Sequence, residues 1–153
     1  MSRATKTQVL QVRPAGPNHQ VVTKTGGQRS YRRQPCSDCP WRVDATGIFP
    51  PEAFGHSAST AYDLAQNMFA CHQSGAKRPA TCAGFLLRGA EHNLSVRMGY
   101  LTGHLSDDVT DGGYALHADY RAMAIANGVA PEDPALQPCR ASSFVGKCDR
   151  EPL

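Results

Sequence analysis

The sequence predicts an α+β fold: a small, irregular, metal-stabilised domain with a short N-terminal β-hairpin and three or four short helices. Three observations lead there. Two β-prone runs, Val9 to Val12 and Gln20 to Lys24, flank the turn-rich string Pro14-Ala15-Gly16-Pro17-Asn18. The helical stretches that follow are short and interrupted, because 14 glycines and 11 prolines punctuate a chain of 153 residues. Apolar content is 41% and aromatic content 7%, a thin core that a local crosslink would compensate, and four of the six cysteines fall between positions 36 and 82.

The elements follow in order. The two β-prone runs form a hairpin, with a basic arm as the alternative, and Gly26 to Gln34 is a polar linker carrying Arg29, Arg32 and Arg33 around Tyr31. Pro51 opens a short helix through Phe54. Thr60 to Phe69 spaces Tyr62, Leu64, Ala65, Met68 and Phe69 as one helical face and delivers Cys71 and His72 at its end. In Cys82 to Leu101, the main core candidate, Gly84, Gly89 and Gly99 divide the stretch into a helical turn after Cys82 and a second helix or strand after His92. Tyr114 to Asn127 reads as an Ala-rich amphipathic helix stopped at Gly128. These elements divide into a basic arm or hairpin at 1–30, a metal-binding domain at 31–128, and a Pro- and Cys-containing tail at 129–153.

Charge is distributed unevenly. Residues 1–50 carry eight Lys or Arg against Asp38 and Asp44, whereas residues 51–153 carry eight against eleven acids. A basic front suits an anionic partner such as nucleic acid, although a solvated surface accounts for it equally. The sequence has no apolar run of membrane-spanning length, and its N-terminus lacks the apolar centre of a signal peptide, so the expected location is the cytoplasm. In that reducing compartment, cysteines argue for metal or redox chemistry before structural disulfides.

The chemistry concentrates in Pro35-Cys36-Ser37-Asp38-Cys39-Pro40-Trp41, in Cys71-His72, and in Cys82. Two cysteines separated by two residues aim both sulfurs at one ion while the intervening amides face the thiolates. Cys36, Cys39, Cys71 and Cys82 complete a tetrahedral set. His72 is the alternative ligand or a neighbour bonding a thiolate or carbonyl, and Trp41 packs on the site. A lone CxxC with two distant thiols suits zinc, and a [4Fe–4S] cluster is the alternative. An isolated dithiol or buried inert thiols are the plainer readings. Cys139 and Cys148 could form a second half-site, a disulfide, or neither.

Two enzyme classes fail on their own requirements. A zinc deaminase needs His-x-Glu upstream of its Pro-Cys-x-x-Cys, and the only histidine upstream, His19, is followed by Gln20 and Val21. Thioredoxin-like chemistry needs a helix opening at the CxxC, and Gly47 and Pro50 cut such a helix short. His92, Asn93 and Arg97 could face a ligand, with a satisfied core or surface role as the commoner outcome.

The ordered string Pro35-Cys36-x-x-Cys39-Pro40-Trp41-Arg42, Phe49-Pro50, Phe69-Ala70-Cys71-His72, Cys82-Ala83-Gly84-Phe85-Leu86 and His92-Asn93 resembles an uncharacterised cysteine-rich domain family of actinobacteria and their phages, over residues 34–102. The resemblance implies that Cys36, Cys39, Cys71, His72 and Cys82 belong to one constellation, and that the cytoplasm is a host's if the chain is phage-encoded. It implies no activity. The expectation is a non-catalytic zinc module that binds nucleic acid or a host protein through Arg29, Arg32, Arg33 and Arg42. The alternative is an iron–sulfur protein that senses redox state or carries electrons. A metalloenzyme with an open coordination position is the third reading, its nearest base candidates Asp38 and His72.

Overall fold

A computed structural model of the chain describes residues 6–16, 19–27 and 30–139; Arg29 and Cys148 lie outside them. The fold is α+β. Strand β1 (Gln8–Ala15) pairs antiparallel with β2 (His19–Thr25), Val12 opposite Val22, and the ladder slips between Val9 and Gln11. β2 then pairs with a two-residue strand, β3 (Met68–Phe69), giving the order β1-β2-β3. The hairpin is thereby tied to the segment that leads into Cys71.

The chain also forms three short helices. Helix α1 (Pro51–Ser57) carries Pro51 at its start, where the missing N–H costs nothing. Helix α2 (Leu94–Leu101) is capped by Asn93, whose side chain accepts from Val96 N–H at 3.1 Å. Helix α3 (Tyr120–Ala126) is capped by Asp119, which accepts from Ala122 N–H at 2.8 Å. A π-helical turn, Phe85–Gly89, follows Cys82.

Two expected helices are corrected. Thr60 to Phe69 is not helical. After a 3-10 turn at Ala58–Ala61 the chain takes a left-handed conformation at Leu64 (φ 59°) and then enters β3. Pairing with β2 overrides the helical spacing, and the fully buried Asn93 secures the path by donating to Thr60 O (3.1 Å) and Asn67 O (2.8 Å). Asn93 is therefore a structural residue. The Ala-rich helix begins at Tyr120 instead of Tyr114 because the preceding residues pair with the segment after the CxxC: Val43 N–H donates to Ala115 O and His117 N–H to Trp41 O. Beyond Gly128 (φ 101°), Val129, Leu136 and Cys139 are buried in the core.

Trp41 is at the centre of that core. Its fully buried indole meets Phe69 and Tyr120 edge to face, with ring centroids 5.8 and 5.9 Å apart, and packs against Phe85 at 6.5 Å. Two glycines make room for it. A Cβ on Gly84 would stand 2.4 Å from Trp41 Cβ, and one on Gly89 would stand 2.3 Å from Trp41 Cη2. Lys24 is buried as well, donating from Nζ to Thr81 Oγ1 (2.9 Å), Gly27 O (3.2 Å) and Ser30 O (3.3 Å). Burial lowers its ammonium to about 8.

Two predictions follow from this packing. Gly84→Ala forces the methyl into the indole and should cost about 1–3 kcal/mol, whereas Gly55→Ala, inside α1 with open space around it, should stabilise by about 0.5–1 kcal/mol. Denaturant midpoints followed by fluorescence of Trp41, the single tryptophan, check both. Lys24 gives the second. Because its folded-state value lies below the ordinary 10.5, its contribution to stability is full above that pH and is lost as pH falls through about 8. The difference in unfolding free energy between wild type and Lys24→Met should move in favour of wild type as pH rises from 7.5 to 10.5; a flat difference would contradict the buried ammonium.

Candidate metal centre

Backbone pairing assembles the four thiols from two sides. Cys71 and Cys82 lie on neighbouring antiparallel segments, joined by the Ala70–Thr81 bridge, by Cys71 N–H donating to Ala80 O (2.7 Å) and by Cys82 N–H donating to Phe69 O (2.9 Å). On the other side Thr81 pairs with the chain entering the CxxC: Arg32 N–H donates to Thr81 O and Thr81 N–H to Ser30 O, both at 2.9 Å. Cys36 and Cys39 then close a tight turn through Cys39 N–H to Cys36 O at 3.2 Å. Lys24 braces the arrangement from behind through Thr81, next to Cys82.

The sulfurs form a string. Cys39 Sγ and Cys82 Sγ are 3.6 Å apart, Cys36 acts electrostatically on both Cys39 and Cys71 while its Sγ faces Asp38 Oδ1 at 3.7 Å, and all four thiols are free. Among the described residues no group of three or more His, Cys, Asp or Glu side chains is arranged so that it could hold a metal ion. The backbone at Asp38, Trp41 and Gln73 favours the charged form of Cys36, Cys39 and Cys71, in each case two residues back along the chain and with less influence than burial.

Proton affinity follows from this crowding. Contact with Cys39 is the largest influence raising Cys36 to about 11; its contact with Cys71 opposes this and burial adds to it. Contact with Cys36 favours the Cys39 thiolate, but Cys82 and burial outweigh it and hold the thiol up; Cys71 is raised by Cys36 and then by burial. Packed sulfurs resist ionising together. A cation among them would remove that resistance.

His72 has a different partner from the expected thiolate or carbonyl. Its Nε2 lies 2.7 Å from Asp38 Oδ2, and its ring stands edge-on to Phe49 at 5.0 Å. Gln73 Nε2 donates to Asp38 Oδ1 (2.9 Å) and Ser37 Oγ (2.8 Å). Burial pushes the Asp38 carboxyl up, but the bonds from His72 and Gln73 win and hold it below its ordinary range. Asp38 thus latches the CxxC turn onto the turn that follows Cys71. The cavity beside these residues, lined by Phe49, Phe69, Cys71 and His72 among others, measures about 60 Å³. That is far below the roughly 300 Å³ at which small-molecule pockets begin.

The structure separates the arginines. Arg42 is buried and committed: its guanidinium clasps the Asp44 carboxylate (2.6 and 2.8 Å), donates to Cys36 O (3.1 Å) and lies over the Tyr114 ring at 3.6 Å. It supports the CxxC turn from inside. Arg33 pairs with Asp108 at 3.1 Å, and Asp108 also accepts from Tyr31 O–H at 2.7 Å. Arg32 stays exposed. Sequence reasoning missed Lys24, which looks like an ordinary strand residue, and passed over the exposed pair Lys77 and Arg78 on the loop between Cys71 and Cys82. The buried Cys139 stands apart from the cluster, directed at Ala58 O and Ala135 O.

Among the described residues no helix is long and apolar enough to cross a membrane. No curated protein and no solved structure matches the chain. A family of unknown function, DUF6283, matches residues 31–140, a span that opens at the Tyr31–Thr81 bridge and takes in all four clustered cysteines, and the chain belongs to that family.

Proposed function

We propose that the chain is a small zinc-binding module, non-catalytic, whose Cys36, Cys39, Cys71 and Cys82 hold one structural ion and whose basic surface binds nucleic acid. The observation that carries this reading is the 3.6 Å approach of the buried Cys39 and Cys82 sulfurs, on segments whose backbone pairing also brings in Cys36 and Cys71. Four neighbouring thiolates would require a cation. The zinc would serve as a crosslink for the thin core and supply no reaction step. Rotation of the thiols toward a common centre would complete the site.

Sulfur spacing favours zinc over a cluster. In a tetrahedral site with Zn–S bonds of about 2.3 Å, the sulfurs stand about 3.8 Å apart, close to the 3.6 Å between Cys39 and Cys82. A [4Fe–4S] cluster inserts its own iron and sulfide atoms between the thiolates and holds them farther apart. The free thiols among the described residues suit the reducing cytoplasm, a host's if the chain is phage-encoded.

Metal analysis of the purified full-length protein should find one zinc per chain and no absorbance near 400 nm. Cys36→Ser and Cys82→Ser should each lose most of the metal. Zinc content equal to wild type in both variants, or iron with a brown colour, would contradict the zinc assignment.

A further inference from the structure

The two ends of loop 72–81 are the candidate ligands Cys71 and Cys82, and the loop between them is stiff. Ser74 Oγ donates to Cys71 O (2.7 Å) and accepts from Ala80 N–H (2.9 Å), stitching one stem to the other. A 3-10 turn, His72–Ser74, starts the loop, Gly75 reverses it at φ 73°, and Pro79 is buried at its return. What this frame exposes is basic: Lys77 and Arg78 are open to solvent, and Arg32, also open, is joined to the loop's last residue through Thr81 and lies close enough to act electrostatically on Cys71.

Partnering separates these cations from Arg33 and Arg42. Arg33 and Arg42 are held by Asp108 and Asp44, whereas among the described residues no hydrogen bond or ion pair engages the side chains of Arg32, Lys77 or Arg78. Asp38, the acid bonded to the start of the loop, is itself held there by His72 and Gln73. Unpaired cations on a pre-shaped loop lose little freedom when they meet phosphates, and each contact releases a condensed counterion.

We infer that loop 72–81 is a phosphate-binding element for a nucleic-acid backbone, with Lys77, Arg78 and the adjoining Arg32 as its contacts. The inference rests on the proposed nucleic-acid module and assigns the binding to this loop in place of Arg29, Arg33 and Arg42. Backbone contacts of this kind carry no base code, so binding is independent of sequence and falls steeply with salt. Zinc held by Cys71 and Cys82 would brace both stems further, so its removal should weaken binding.

The test is fluorescence anisotropy of the metal-loaded full chain with a labelled random-sequence DNA duplex and the matching single strand, across a salt series. For the duplex, Lys77→Ala/Arg78→Ala should reduce the slope of log affinity against log salt by about two, from roughly 0.9 per lost phosphate contact, with metal content unchanged. Arg33→Ala, whose charge is already spent on Asp108, should leave the slope as it is. Wild-type binding with an unaltered slope in the double variant would overturn this inference and leave the module reading standing. Absence of binding to either nucleic acid at low salt would overturn both, and would direct the basic surface to an acidic protein instead.

Discussion

Trp41 stands two residues after Cys39, and its indole is enclosed by Phe69, Phe85, Tyr120 and the bare backbones of Gly84 and Gly89. That contact joins four separate segments of the fold. Phe69 belongs to β3, Phe85 to the π-helical turn, Tyr120 to α3, and the Trp41 carbonyl receives His117 N–H. Seating the indole therefore fixes Cys39 against Cys82, because Gly84 follows that cysteine by two residues and must lie flat on the ring. The hydrophobic core and the thiol cluster are parts of one arrangement. The family match covers both of them.

Around this centre, polar groups act as braces. Arg42 reaches back to the Cys36 carbonyl, Lys24 reaches across to Thr81, and Asp38 latches the two cysteine-bearing turns through His72 and Gln73. Burying Lys24 and Arg42 costs solvation, which their hydrogen bonds offset. A chain with so few aromatic residues gains its rigidity from these braces and, in the reading proposed here, from a metal crosslink.

The parts legible in the sequence were those set by local rules. β-prone runs on either side of a turn-rich break gave the hairpin and Pro51 gave the start of α1, while of the cysteine set Cys39 and Cys82 stand 3.6 Å apart. The failures all came from tertiary pairing. Met68 and Phe69 have a helical spacing but are drawn into a sheet by β2, and residues 115–117 pair with the segment after Cys39 before α3 can begin. The glycines at 84 and 89 read as helix breakers, but their role is to admit an indole. Arg33 and Arg42 look alike in a list of charges, and only the fold reveals that Asp108 and Asp44 already hold them.

The account centres on a tetrathiolate zinc site, and X-ray absorption at the zinc edge of the protein as purified tests it most directly. A first shell of four sulfurs at about 2.3 Å is the predicted result. A shell dominated by nitrogen or oxygen, or zinc bound without sulfur, would contradict it.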